Sequence, residues 1–461
     1  MLYENTIAAT ATSSANGSIS VIRVSGNEAF AAVSNIFCDG KGKRIDLSKY
    51  ETHTIHYGFI CDESNRLIDE VLVLLMKAPR SYTREDVIEI HCHGGHYICE
   101  EILQLLLKGG VRIAEAGEFT KRAFLNGRLD LSQAESVMDI IQSKSKLSLQ
   151  NSLQQLRGKI KEKIIALREM ILEDVAYLEA ALDDPEHISL DDFTERIESH
   201  VDYLLTEVNH LIENSNNGRL IKDGIHTVIV GKPNVGKSSL LNCMLRENRA
   251  IVTNVPGTTR DTLEEDIRIG SHLLRLIDTA GIRQAENEVE SIGIAKSKES
   301  MEQADFVICV LNQNESLSEE DREVLSLIAD KDGVILLNKN DLPAALQKEE
   351  IMRYSNKKVI PFSAKKGEGL DELEDYLNQL LSDKKMDSKE EIYITNVRQR
   401  EVLLRTKESL EKVEESIQAG MPEDMYAIDL TDAYESLGLI IGETVEEDII
   451  EKIFKDFCMG K

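Results

Sequence analysis

The spacing of apolar residues changes three times along this chain. Up to about residue 118 they come in runs of strand length: Ile19-Ser20-Val21-Ile22-Arg23-Val24, Val71 to Met76, and Val87-Ile88-Glu89-Ile90-His91. Short runs bounded by turn residues such as Pro79-Arg80-Ser81 predict strands. Ile98 to Leu107 has helical spacing, and Gly109-Gly110 ends it. From Leu131 to about Asn214 the steps are three and four. Ile160, Ile164, Leu167, Ile171, Val175, Leu178 and Leu182 form one series; Phe193, Ile197, Val201, Leu204, Val208 and Leu211 form the next. Asp183-Asp184-Pro185 separates the two, and Asn214 to Gly218 is expected to end the second. Between about 222 and 383 strand-length runs return. Helical spacing then resumes in Val402, Leu410, Val413 and Ile417, and in Ala427, Leu430, Leu437 and Ile441. Long amphipathic helices pack most simply as a bundle. The tail is expected to complete the bundle begun before residue 218, which makes the middle module an insert. The fold class expected is α/β and all-α, multidomain.

Each strand-length run of the middle module ends in residues suited to a nucleotide. Thr227 to Val230 leads into Gly231-Lys232-Pro233-Asn234-Val235-Gly236-Lys237-Ser238, followed by Ser239 and a helical stretch. Glycines let backbone N–H groups turn toward phosphate oxygens, and the helix N-terminus favours the same anion. Lys237 is placed to reach the β- and γ-phosphates, and the Ser238 hydroxyl to ligate Mg²⁺. Leu273 to Ile277 leads into Asp278-Thr279-Ala280-Gly281, a carboxylate for Mg²⁺ through water and a glycine N–H for the γ-phosphate. Val334 to Leu337 leads into Asn338-Lys339-Asn340-Asp341, where an Asp accepts both the ring N–H and the amine of guanine. Val359-Ile360 leads into Ser363-Ala364-Lys365, the partner loop on the base. In order and spacing the four resemble the Ras-like, translation-factor class of GTPase.

Two features of the module are unusual. The position after Asp278 to Gly281 is Ile282, which cannot orient the attacking water as a glutamine does. Arg283, Glu286, Glu288 and Glu290 lie downstream, and a carboxylate among them can take the role. The stretch Ala250 to Asp261 is the switch I candidate, in which Thr258 and Thr259 compete to complete the Mg²⁺ shell. Asn234, inside the phosphate loop, carries an amide oxygen that with switch I carbonyls suits a monovalent cation.

Composition narrows the partners. The chain of 461 residues has a formal net charge of −28, which argues against indiscriminate nucleic-acid binding. Residues 119–160 are the exception, with 7 Lys/Arg against 3 Asp/Glu. Seven scattered cysteines without CxxC spacing predict reduced thiols and a cytoplasmic location. The longest aliphatic run, Val71 to Met76, is too short to span a bilayer, so no membrane association is expected. His91, Cys92, His93 and His96 invite a metal reading, but strand alternation sends Cys92 to the opposite face from His91 and His93. His93-Gly94-Gly95 reads better as a turn at a strand end.

The stretch Gly117-Glu118-Phe119-Thr120-Lys121-Arg122-Ala123-Phe124-Leu125-Asn126-Gly127-Arg128-Leu129-Asp130-Leu131 resembles the signature of the tRNA modification GTPase MnmE (TrmE) family, within the TrmE-Era-EngA-like GTPases. Thr6 to Thr12, Val21 to Gly26 and Cys458-Met459-Gly460-Lys461 resemble it too, so the likeness covers the full length. It implies a tetrahydrofolate-binding, dimerising domain over 1–118, a helical domain in two parts over 119–221 and 384–461, and a G domain over 222–383. It also implies a homodimer that works on tRNA. With the FAD-dependent partner MnmG (GidA), in a heterotetramer or larger complex, it would add an aminomethyl-type group to C5 of the wobble uridine. The one-carbon donor would be 5-formyl- or 5,10-methylene-tetrahydrofolate, held by Arg23, Glu85, Arg128 and Lys461. K⁺ would be held by Asn234, Thr253, Val255 and Thr258, and Mg²⁺ by Ser238 and Thr259. Glu290 would position the water, with Lys237 and Asn234 as the other catalytic groups. GTP would further touch Val235, Gly236, Ser239, Thr253 to Thr259 (Asn254, Pro256 and Gly257 included), Asp278 to Gly281, Asn338, Lys339, Asp341 and Ser363 to Lys365. The alternative, from another class, is a GTP-switched RNA-binding assembly factor.

Overall fold

The computed structural model describes residues 5–12, 17–184, 186–187, 193–247, 265–270, 272–277, 301–383, 392–445, 447–455, 457–458 and 460. The chain begins with an α/β region: β1 (Ile7–Thr10), β2 (Ile19–Ser25), α1 (Ala29–Ser34), β3 (Phe37–Cys38), β4 (Thr54–Cys61), β5 (Leu67–Met76), β6 (Val87–His93), α2 (His96–Lys108), β7 (Arg112–Ile113) and α3 (Glu118–Leu125). Four helices follow: α4 (Leu131–Gln142), α5 (Lys146–Leu156), α6 (Lys159–Asp183) and α7 (Phe193–Asp223). The middle module contains β8 (Ile225–Val230), α8 (Lys237–Glu247), β9 (Glu265–Ile269), β10 (His272–Leu276), β11 (Phe306–Asn312), α9 (Glu319–Leu327), β12 (Gly333–Asn338), α10 (Lys348–Ile351), β13 (Lys358–Pro361) and α11 (Leu370–Asp383). The chain closes with α12 (Val397–Gln418), α13 (Asp424–Ile441) and α14 (Glu447–Lys455).

Two compact units result. One holds residues 1–141, 154–201 and 408–461; the other holds 142–153 and 202–407. In the first, a seven-stranded sheet has the order β3-β4-β5-β6-β2-β1-β7. The even positions of β6, Ile88, Ile90 and Cys92, meet Ile22, Val24, Val71 and Val73 in a core that α1 and α2 cover. The odd positions Glu89, His91 and His93 face the other way, so Cys92 parts from the histidines as alternation requires. Gly94-Gly95 turns the chain into α2, as expected. Farther along, α6 packs on α13, with the Arg168 guanidinium 4.0 Å over the Tyr434 ring and paired to Glu443 at 2.6 Å. The tail thus returns to the first helices, as its spacing predicts.

In the second unit a six-stranded sheet has the order β13-β12-β11-β8-β10-β9, parallel except for β9 on β10. Its central strands are buried throughout, which is why they read as continuous apolar runs rather than alternating ones.

Two expectations need correction. Asn214 to Gly218 does not end a helix: α7 runs on to Asp223. Asn214 is buried and its side-chain amide donates to the Ile392 carbonyl at 3.4 Å, while a Cβ at Gly218 would collide with the Ile394 carbonyl. These polar and small residues are contact points for a neighbouring segment, not breaks. The cysteines are not all reduced thiols: Cys38 and Cys61 form a disulfide between β3 and β4, and the other five carry none.

Candidate functional site

The phosphate loop joins β8 to α8. Gly231 adopts φ +147°, and a Cβ there would strike the Val310 carbonyl of β11. Gly236 adopts φ +103°, and a Cβ there would strike the Asn338 amide. Only glycine permits both the left-handed torsion and the close approach. Asn234 holds φ +61°, a region asparagine tolerates better than most residues. Its side chain is exposed, and Val235 is buried beneath the loop. Lys237 donates to the carbonyls of Gly231 at 2.6 Å and Lys232 at 2.9 Å, closing the loop on itself. Ser238 and Ser239 stand in the first turn of α8, where N–H groups lack intrahelical acceptors.

The residues expected to read the base meet this loop through one buried side chain. Asn338 is 2% exposed; its amide donates to the Val235 carbonyl at 2.7 Å, and its amide oxygen accepts from the Ala364 N–H at 3.0 Å. Ser363 donates to Asp341 at 2.9 Å, a bond that heads the causes holding this carboxyl below its ordinary range. Lys339 has φ +66° and Lys365 is exposed. The structure therefore brings together Asn234 to Ser239, Asn338 to Asp341 and Ser363 to Lys365. Thr253 to Thr259, Asp278 to Gly281 and Glu290 lie outside the described residues, as do Arg283, Glu286 and Glu288.

A second cluster forms in the other unit. Arg23 on β2 pairs with Glu89 on β6 at 2.8 Å, and its guanidinium lies 5.2 Å from the Tyr82 ring centroid and 5.6 Å from that of Phe119. It also donates to the Gly460 carbonyl at 3.2 Å. Arg128 lies 4.7 Å from the same Tyr82 ring and donates to the Tyr82 carbonyl at 3.2 Å. Glu85 accepts from Ser25 at 2.7 Å and from Arg122 at 3.2 and 3.1 Å. Arg23, Glu85 and Arg128 thus share one neighbourhood; Lys461 lies outside the described residues, although Gly460 beside it reaches Arg23.

Sequence reasoning missed the residues beneath this cluster. Arg122 is 1% exposed and also binds the Asn5 carbonyl at 2.8 Å and Glu118 at 2.9 Å. Glu118 takes a further bond from Arg112 at 2.5 Å. Burial pushes the Glu118 carboxyl up, but bonds from Arg112, the Glu115 N–H and Arg122 outweigh it and hold it below its ordinary value. The i,i+4 spacing of Glu118 and Arg122 was the available signal.

His93 shows no metal cluster around it. Its Nδ1 meets Asp69 at 2.7 Å, and that bond holds the imidazole above its ordinary value. Among the described residues no group of three or more His, Cys, Asp or Glu is placed to hold a metal ion. Among them, too, no helix is long and apolar enough to cross a membrane.

Comparison with known proteins extends the likeness to the whole chain. A family model described as "GTP-binding protein TrmE N-terminus" matches residues 6–128, and one described as "MnmE helical domain" matches 131–458. The chain is similar to "tRNA modification GTPase MnmE" of Lachnoclostridium phytofermentans, 50% identical over 457 residues, 99% of each chain. It is 47% identical to the protein of that name in Natranaerobius thermophilus, covering 100% of both. It is 44% identical to that of Bacillus cytotoxicus, covering 99% of both. With two family models matched and relatives 44–50% identical over the full length, the chain belongs to the tRNA modification GTPase MnmE family.

Proposed function

We propose that this chain is a potassium-activated GTP hydrolase. In a homodimer, and with the FAD-dependent partner MnmG (GidA), it adds an aminomethyl or carboxymethylaminomethyl group to C5 of the wobble uridine of certain tRNAs, in the cytoplasm. The domains are those of the sequence reading: 1–118 for folate and dimerisation, 119–221 and 384–461 helical, 222–383 for GTP. The observation that carries the reading is the second cluster. An assembly factor has no use for two arginines gathered on Tyr82, with the Glu85 carboxylate three residues along, in the unit that does not hold the nucleotide loop. Those groups fit a folate: arginines suit its glutamate carboxylates, and an acceptor-only Glu85 suits the N–H donors of a pterin.

In the nucleotide site, Ser238 with Thr259 would hold Mg²⁺, for which hydroxyl oxygens are suitable hard ligands. Asn234 with Thr253, Val255 and Thr258 would hold K⁺. The cation supplies positive charge between the β- and γ-phosphates, where other GTPases use an arginine worth about 10³- to 10⁵-fold in rate. Asn234 supports this role because its exposed amide lies on the phosphate loop in a conformation the backbone fixes. Lys237 neutralises phosphate charge, and Glu290 orients the water.

The test is the GTPase rate in K⁺ against Na⁺ at equal ionic strength. Asn234→Ala should lower kcat in K⁺ with GDP affinity near the parent's; Glu290→Ala should lower hydrolysis while keeping potassium-dependent dimerisation. Equal parent rates in the two salts remove the cation from the mechanism. Mass spectrometry of wobble uridines in a strain lacking the gene tests the tRNA reaction, and unchanged uridines would favour the assembly-factor reading.

A further inference from the structure

The second residue of the phosphate loop, Lys232, holds its charge against two carboxylates from outside the loop. The Lys232 ammonium sits 3.0 Å from Glu315 and 3.2 Å from Asp321, with its side chain 14% exposed. Asp321 is 4% exposed and belongs to the first turn of α9. One of its oxygens also accepts from the Ser318 N–H at 3.0 Å and the Ser318 hydroxyl at 2.7 Å; the other has no hydrogen-bond partner. Glu315 accepts from Asn312 at 2.6 Å. Asn312 ends β11, in register with Asn338, which ends β12. Asn338 is the residue that holds the far side of the phosphate loop through the Val235 carbonyl. Both sides of the loop are therefore fastened to the same pair of strand ends, one by a neutral amide and one by an ion pair.

We propose that Lys232 is a positioning residue: its ion pair with Glu315 and Asp321 fixes the phosphate loop against the loop that reads the base, and so sets how long nucleotide stays bound. The competing role, a direct phosphate ligand, makes opposite predictions. A ligand lysine would be restrained by its carboxylates, so removing one would free it and tighten binding. A tether loses its anchor by the same change. A ligand of the γ-phosphate also discriminates GTP from GDP, whereas a loop held in shape serves the two alike.

The experiment uses the full chain and follows release of a fluorescent GDP derivative by stopped flow, with equilibrium affinities for GDP and GTP. Lys232→Met should speed GDP release about tenfold, the scale expected when one partner of a largely buried charge pair is removed and only part of the loss reaches the ligand. Its affinities for GDP and GTP should fall by the same factor. Asp321→Asn should speed release in the same direction, and the double variant should be no faster than the faster single. Lys232→Arg, which can span both carboxylates, should return release to within about twofold of the parent. Should Asp321→Asn fail to fold, Glu315→Gln, at a more exposed carboxylate, must show the same sign at smaller size. The proposal is overturned by a carboxylate variant that tightens GTP, by a Lys232→Met loss larger for GTP than for GDP, or by additive effects. A parent that binds no guanine nucleotide overturns the loop assignment itself, and the tether with it.

Discussion

The two candidate sites are built on opposite plans. The nucleotide loop is contiguous: eight residues, Gly231 to Ser238, whose shape is set by backbone torsions and carbonyl contacts. The cluster around Tyr82 is dispersed: Arg23, Glu85, Arg128 and Gly460 come from distant parts of the chain and are aligned by ion pairs, cation–π contacts and hydrogen bonds to carbonyls. A contiguous site takes most of its geometry from its own backbone, and its outside anchors here are few: Asn338, Glu315 and Asp321. A dispersed one depends on groups that touch no ligand, since each charge needs a partner to stay where it is.

The largest expected effect breaks the dispersed site from beneath. Arg122→Met leaves Glu118 and Glu85 without their shared guanidinium and should cost about 3–5 kcal/mol, the range for breaking a buried pair on one side. Denaturant titration should show the loss, and folate binding should fall with it, while GTP affinity stays at the parent's level. Equal damage to both ligands would erase the contrast between the plans.

The next effect sharpens the contrast from the other side. Asp341→Asn changes one acceptor in the loop after β12, beside the contiguous site, and should lower GTP affinity by about 1.5–3 kcal/mol, with xanthosine nucleotides preferred. Folate binding and stability should not move. A variant that binds GTP as the parent does would mean that Asp341 does not read the base.

The smallest effect is one of pH. Asp69 holds His93 above its ordinary value of 6.5. The charged pair is then fully present below pH 6.5, and its contribution is lost as the pH rises through the folded value. The melting temperature of the parent should exceed that of His93→Gln most at low pH, with the gap narrowing toward alkaline pH. A gap that widens with pH would assign the pair the wrong charge state.

The same contrast explains what could be read in advance. The strands of the second unit and its motifs were legible because each motif follows its own strand. Arg23, Glu85 and Arg128 entered only through family resemblance, since nothing in their spacing brings β2, the turn after β5 and the end of α3 together. Arg122 was visible as one half of an i,i+4 pair, yet its grip on Glu85 is a tertiary fact. The error at Asn214 to Gly218 has the same origin: polar and small residues on a helix look like an ending until the segment they pack against is known. The disulfide pairs two cysteines that only the β3–β4 ladder brings together.

The contact between Arg23 and Gly460 spans 437 positions of sequence. On a ribosome, β2 emerges early, and a further 437 residues must be made before its arginine meets this carbonyl. The sheet can fold from local neighbours in the meantime, but the dispersed site is finished only after residue 460 has left the exit tunnel.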